Sequence, residues 1–61
     1  MISLRDIREG SVVMVRPAFG MDDPIEATIA EIHENIKNNF PGIVYGMHWA
    51  YLDQIDSVVT Y

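Results

Sequence analysis

The stretch from residue 22 to residue 42, DDPIEATIAEIHENIKNNFPG, decides the fold class of this chain. Interpreted as a helix, it gives an α/β protein with a helix at residues 24–38. Interpreted as a strand followed by a turn, it gives an all-β protein. The two interpretations make different use of the same residues, so the rest of the sequence is needed to choose between them.

The helical interpretation has consistent signals at both ends of the stretch. Asp23 is a suitable N-cap, and Pro24 would take the first helical position, where its missing N–H costs nothing. Pro41 and Gly42 would end the helix. Four isoleucines recur at a spacing typical of one helix face: Ile25, Ile29, Ile32 and Ile36.

The strand interpretation uses a period of two. Ala27 and Ile29 alternate with Thr28 and Ala30, and a bulge near Ala30–Glu31 would return Ile32 to the inner face. Isoleucine and threonine mildly favour strands. Periodicity alone leaves both interpretations open.

Four other segments have strand character, and turn residues separate them. They are SVVMVR at 11–16, GIVYG at 42–46, WAYL at 49–52 and SVVTY at 57–61. Such regular spacing is typical of a barrel or sandwich. With residues 26–34 as the missing strand, five strands would close into a barrel and leave no free edges. Residues 53–55 are expected to form a single 3-10 turn.

One pattern of glycines and apolar residues resembles a known fold family. The pattern is Gly10-x-x-Val13-x-Val15, Ala27-x-Ile29-x-x-Ile32, Gly42-Ile43-x-Tyr45 and Leu52-x-x-Ile55, followed by a final valine pair. It resembles the small SH3-like barrels, such as Tudor and KOW modules. The segments FG…PIEATI and WAYLDQI also resemble short phage and bacterial proteins of unknown function. The resemblance implies one five-stranded SH3-like domain over residues 1–61, with a 3-10 turn before the last strand, rather than the α/β alternative.

The known functions of these families do not transfer directly. A Tudor domain that binds methylated side chains needs an aromatic cage. Tyr45, Trp49 and Tyr51 could supply walls for one, although only Trp49 and Tyr51 are certain to share a face. KOW modules that contact RNA carry basic residues, whereas this chain has nine acidic and four basic side chains and a net charge of −5. We therefore expect no direct binding to nucleic acid.

Composition sets further bounds. The chain lacks cysteine, so it has neither disulfides nor thiolate metal sites. No apolar run is long enough for a membrane helix, so we expect no membrane association and a cytoplasmic location, the host cytoplasm for a phage protein. Apolar residues make up 49 % of a chain too short to bury most of its surface. We expect a second copy or a partner to cover some of that area.

No motif predicts catalysis, a cofactor or a metal site. His33 and His48 are expected to be surface residues, since Glu31, His33 and Glu34 are predicted not to converge and a zinc site needs three or four ligands. No serine lies in a nucleophile motif. A barrel of this size is filled by its own side chains, so it has no cleft in which a paired carboxylate would acquire a shifted pKa. We therefore predict that the chain is not an enzyme.

The candidate partner surface is a set of six residues: Phe19, Phe40, Tyr45, His48, Trp49 and Tyr51. Tyrosine and tryptophan are common anchors at interfaces, and the core of so small a domain cannot hold all six. Phe19 and Met21 lie in a predicted loop, and the favoured expectation is that they cover one end of the core. Trp49 is expected to be largely buried, either in the core or at a self-interface.

Three functional hypotheses follow. The first is a non-enzymatic module, encoded by a phage or mobile element, that binds a protein partner or assembles with itself into a homo-oligomer. The second is an acidic inhibitor that mimics nucleic acid, with a row of carboxylates on one face. The third is an enzyme whose site forms only in an oligomeric pore, lined by residues 43–45 or 49–51. The first is favoured because the chain combines excess apolar residues with no catalytic motif.

Overall fold

The structure is a computed structural model that describes residues 2–61; Met1 lies outside the described residues. The described chain is all-β, so the alternative with a helix at residues 24–38 is wrong. Its strands are β1 (Val12–Val15), β2 (Ile25–Thr28), β3 (Glu31–Lys37), β4 (Phe40–Tyr45), β5 (His48–Tyr51) and β6 (Ile55–Thr60). Its 3-10 turns are Leu4–Asp6, Ala18–Gly20 and Leu52–Gln54.

The strands form two three-stranded antiparallel sheets. The first has the order β2-β1-β6, and the second has the order β3-β4-β5. The chain passes between them at the end of β2. The Ile29 N–H donates to the Ser11 carbonyl at 2.9 Å, and the next N–H, of Ala30, donates to the Val44 carbonyl at 2.8 Å. Two consecutive residues thus link the first sheet to the second.

The long strand predicted over residues 26–34 is divided at this crossing, and it extends beyond its predicted end to Lys37. Ile29 is buried and Ile32 packs against the core, whereas Ile25 is exposed. A helix would have placed these isoleucines on one buried stripe. The period-two interpretation is therefore confirmed, and the helical spacing of the isoleucines is coincidental.

The β3–β4 connection is shorter than the interval between the predicted strands at residues 26–34 and 42–46. Lys37 pairs directly with Phe40, so only Asn38 and Asn39 lie between the strands. Both have positive φ angles, 56° and 64°. A two-residue turn of type I′ requires positive φ at both positions, and asparagine tolerates that conformation better than most residues. Phe40 consequently belongs to a strand rather than to a loop.

The core lies between the two sheets. Its buried apolar residues are Ile7, Val13, Val15, Ala27, Ile29, Ile43, Tyr45, Ala50 and Ile55.

The 3-10 turn before the last strand begins one residue earlier than predicted. Gln54, in that turn, is buried, and its amide accepts from the Tyr51 N–H and donates to the Arg16 carbonyl, each at 2.8 Å. Through these bonds Gln54 joins the end of β5 to the segment that follows β1.

Within residues 2–61 we find no helix with the length and apolar character needed to cross a bilayer.

Candidate functional site

The outer surface of the second sheet presents aromatic side chains because of the register between β4 and β5. Val44 lies opposite Trp49, and Gly42 lies opposite Tyr51. Side chains alternate along a strand, so these positions face outward while Ile43 and Ala50 face the core. The sequence therefore places both large rings of β5 on the surface side of the sheet.

Four aromatic rings contact one another on this surface, and we call this group the aromatic face: Phe19, Phe40, Trp49 and Tyr51. Tyr51 is its centre. The Tyr51 ring is 5.1 Å from that of Trp49, 5.9 Å from that of Phe40 and 6.2 Å from that of Phe19, measured between centroids. Its contacts with Trp49 and Phe40 are edge-to-face. Such contacts fix the orientation of rings that still face solvent.

Phe19 reaches the aromatic face from the 3-10 turn between β1 and β2. Ala18 and Phe19 both have positive φ angles, 53° and 56°, which side chains with a Cβ rarely adopt. Phe19 remains 71 % exposed and Met21 85 % exposed, so the expectation that they cover the core is wrong. The turn holds an exposed phenylalanine in a strained conformation instead.

Polar contacts from the β3–β4 hairpin support the same rings. The Asn38 side-chain amide donates to the Tyr51 hydroxyl at 3.2 Å. The Lys37 ammonium nitrogen lies 5.6 Å from the centroid of the Trp49 ring, within the range of a cation–π contact. The turn residue and the last residue of β3 thus fix one edge of the aromatic face.

Gly42 leaves space on this sheet for the side chain of Ile36. A Cβ built at Gly42 would collide with the side chain of Ile36 and with the carbonyl oxygen of Ala50. Glycine at this position therefore allows Ile36 to lie against the β4 backbone. The glycine is required by this close approach rather than by its φ angle.

The other two residues of the predicted surface lie apart from the aromatic face. Tyr45 is buried in the core, and its ring is 5.6 Å from the ring of His48 at the start of β5.

Trp49 is 37 % exposed in the monomer and is not part of the core cluster. The expectation that Trp49 is largely buried therefore does not hold for the core.

A cavity of about 370 Å³ opens beside the aromatic face. Its lining residues are Ile2, Phe40, Pro41, Tyr51, Leu52 and Asp53. Phe40 and Tyr51 belong to both features, so cavity and face form one continuous surface. The walls are mostly apolar, and the one charged residue of these six is Asp53, in the last 3-10 turn. Among residues 2–61, no side chain forms an ion pair or hydrogen bond with the Asp53 carboxylate.

Glu31 and His33 lie close together, contrary to the expectation that Glu31, His33 and Glu34 do not converge. They are two residues apart on β3 and therefore share a face, and the His33 Nε2 lies 2.8 Å from a Glu31 carboxylate oxygen. Residues 2–61 contain no group of three or more histidine, aspartate or glutamate side chains placed to bind a metal ion. The structure thus pairs two of these residues without building a metal centre.

The carboxylates that would have to align in a nucleic-acid mimic lie on several elements. Asp22 and Asp23 follow the second 3-10 turn, Glu26 lies in β2, Asp53 lies in the third 3-10 turn, and Asp56 lies in β6. Asp56 is already paired with Arg16 at 3.3 Å. Only Asp53 lines the cavity beside the aromatic face.

Sequence reasoning found the four rings but missed the cavity and its polar neighbours. Ile2, Leu52 and Asp53 come from both ends of the chain, and no local pattern brings them together. The turn that contains Asn38 could have been predicted, since an Asn-Asn pair between two strands is typical of a type I′ turn. No protein-family model, curated protein or solved structure matches this chain.

Proposed function

We propose that this chain is a single SH3-like domain and a non-enzymatic protein-interaction module that binds through the aromatic face. The observation that carries this proposal is the exposure of Phe19 and Phe40, 71 % and 61 %, within a group of rings that all contact Tyr51. Aromatic side chains are enriched at protein interfaces, where they act as rigid anchors. Scattered single apolar residues are ordinary on a surface, whereas a contiguous exposed group of them is often functional.

The SH3-like part of the proposal is supported by the way the chain crosses between sheets. In a small barrel, one bent strand contributes to both sheets. Here β2 and β3 are separated only by Ile29 and Ala30, whose N–H groups donate to the carbonyl of Ser11, next to β1, and to that of Val44 in β4. The 3-10 turn Leu52–Gln54 immediately before the last strand fits the same fold.

The strain at Ala18 and Phe19 supports a binding role for the aromatic face. Backbone conformations of this kind cost about 1–3 kcal/mol each and concentrate at functional sites. Phe19 contributes little buried area to the monomer in return, because most of its side chain faces solvent. A partner that covers Phe19 would supply the missing burial.

The test uses the purified protein as bait against a displayed library of random 12-residue peptides. We expect the wild-type protein to enrich a family of related sequences and the Phe19→Ala variant to lose them. Ile25→Ala is the matched control, because Ile25 is also an exposed apolar residue but lies on β2, in the other sheet. Enrichment by all three baits alike, or by none, would contradict a binding role for the aromatic face.

Synthetic copies of the enriched peptides give a second measurement. Trp49 is the only tryptophan in the chain and belongs to the aromatic face, so its fluorescence reports binding directly. Sedimentation velocity of the protein alone tests self-assembly. A wild-type dimer that becomes monomeric in Phe19→Ala would place a second copy on the aromatic face.

A further inference from the structure

The charge of the cavity and of the whole domain indicates the kind of segment that binds there. Asp53 is the charged residue among those that line the cavity, and the remaining walls are mostly apolar. The domain carries a net charge of −5. A long-range negative field and a local carboxylate both favour a cationic partner and disfavour an anionic one.

The same charges weigh against a second copy as the occupant. Two copies would bring together two domains that each carry a net charge of −5, and the repulsion would oppose the contact. Lys37 is the basic residue in contact with the aromatic face, and its ammonium group already lies over Trp49. The basic group that would pair with Asp53 is therefore better supplied by a different chain.

We propose that the occupant is a basic polypeptide segment of another protein, which inserts an apolar side chain into the cavity and pairs a neighbouring lysine or arginine with Asp53. This inference rests on the proposed function, because it names the partner of the same surface. The cavity volume of about 370 Å³ lies at the lower end of the range of roughly 300–1,000 Å³ that is typical of ligand sites. It is large enough to take an apolar side chain of a bound segment and far too small for a folded domain.

The two parts of the segment have separate roles. The apolar side chain would contact Ile2, Pro41 and Leu52, so that its burial supplies most of the affinity. The cationic side chain would reach Asp53, an exposed carboxylate that the described residues leave without a partner. An arginine at this position would bind with better geometry than a lysine, since its planar group can donate two parallel hydrogen bonds to a carboxylate.

The peptide selection described above also tests this inference. We expect the sequences enriched by the wild-type protein to combine an aromatic or branched apolar residue with an arginine or lysine close by. Asp53→Asn should weaken those peptides roughly fivefold, the size of a partly exposed ion pair. Glu26→Gln, which removes a carboxylate from β2 in the other sheet, should leave their affinity unchanged.

The outcomes separate this inference from the proposed function. The inference is wrong if the enriched peptides need Phe19 but carry no excess of basic residues, or if they bind Asp53→Asn as well as wild type. Either result would still support the proposed interaction module. A self-association that needs Phe19 would replace the basic segment by a second copy. If added salt weakens peptide binding to wild type more than it weakens binding to Asp53→Asn, the ion pair is supported. Equal salt dependence in both proteins would contradict it.

Discussion

The rings of Phe19 and Trp49 meet edge to face at the surface, with their centroids 6.0 Å apart and their planes at 73°. One ring comes from the turn that connects β1 and β2 of the first sheet, and the other comes from β5 of the second sheet. The backbone adopts an unfavourable conformation at Ala18 and Phe19 where it presents this ring. The aromatic face is therefore built at a cost in stability.

Ala18→Gly should relieve that cost. A left-handed conformation costs a residue with a Cβ about 1–2 kcal/mol, whereas glycine adopts it freely but loses about 0.5–1 kcal/mol of chain entropy. We expect a net gain in the free energy of unfolding of up to about 1.5 kcal/mol, measured by urea denaturation. Phe19→Ala should stay within about 0.5 kcal/mol of wild type, because its ring is mostly exposed. A less stable Ala18→Gly variant would show that the turn is not strained.

Ser11→Ala should destabilise the protein by about 1–3 kcal/mol. The Ser11 hydroxyl is buried, accepts from the Arg8 N–H at 2.9 Å and donates to the Tyr61 carbonyl at 2.7 Å. Its removal leaves both backbone groups without that partner. Ser57→Ala is the matched control, since Ser57 is exposed on β6 and should change stability by less than about 0.5 kcal/mol. Equal midpoints of thermal unfolding for the two variants would refute this role of the hydroxyl.

Gly42→Ala should cost about 1–3 kcal/mol, because the added Cβ would collide with Ile36 and with the Ala50 carbonyl oxygen. In an Ile36→Ala background the side chain at position 36 is smaller, so Gly42→Ala should cost less stability than it does in wild type. Chemical denaturation of the four proteins in this double-mutant cycle gives the coupling. Additive effects would mean that the Ile36 side chain does not press on the glycine.

The N-terminal 3-10 turn predicts a local pH dependence. The Ser3 backbone N–H donates to the Asp6 carboxylate at 2.8 Å, and this bond is the main reason that the pKa of Asp6 is lowered. A lowered folded-state pKa stabilises the protein above the unfolded-state pKa, and the stabilisation is lost as the pH falls through the folded-state value. The stability difference between wild type and Asp6→Asn should therefore shrink in acid. A carboxyl titration by NMR that gives an ordinary pKa for Asp6 would contradict this.

The strands and the surface rings could be predicted from sequence because they depend on local patterns. Dense β-branched residues predict β1 and β6, and alternation in WAYL places Trp49 and Tyr51 on one face. The fold class of residues 22–42 could not be settled in that way, because three of the four isoleucines are compatible with both periods. It is decided by pairing with β1 and β4, which no local pattern records.

The candidate site was predicted in part for the same reason. Tyr45 and Trp49 are similar residues in similar short strands, yet the β4–β5 register buries one and leaves the other partly exposed. Phe19 and Asp53 join the surface through turns whose direction depends on the whole fold. A set of aromatic residues can be read from a sequence, whereas their assignment to core or surface requires the register.

Gln54→Glu gives a sharper test of the packing between the sheets. The Gln54 side chain is buried and donates to the Arg16 carbonyl oxygen at 2.8 Å. An ionised carboxylate cannot donate, so at neutral pH the variant places a buried charge against a carbonyl oxygen. Removing a partner from a buried charge typically costs about 3–5 kcal/mol, and we expect a loss of that order.

The same variant should recover in acid. Burial and the neighbouring carbonyl raise the pKa of the introduced carboxyl in the folded state above its unfolded value of about 4.3. The protonated acid can donate to the Arg16 carbonyl, so the deficit is smallest below the unfolded-state pKa and grows as the pH rises through the folded-state value. Urea denaturation of variant and wild type between pH 3 and pH 8 measures this difference. A deficit that does not change with pH would mean that the introduced carboxyl reaches solvent, and Gln54 would then not be the buried link between β5 and the segment after β1.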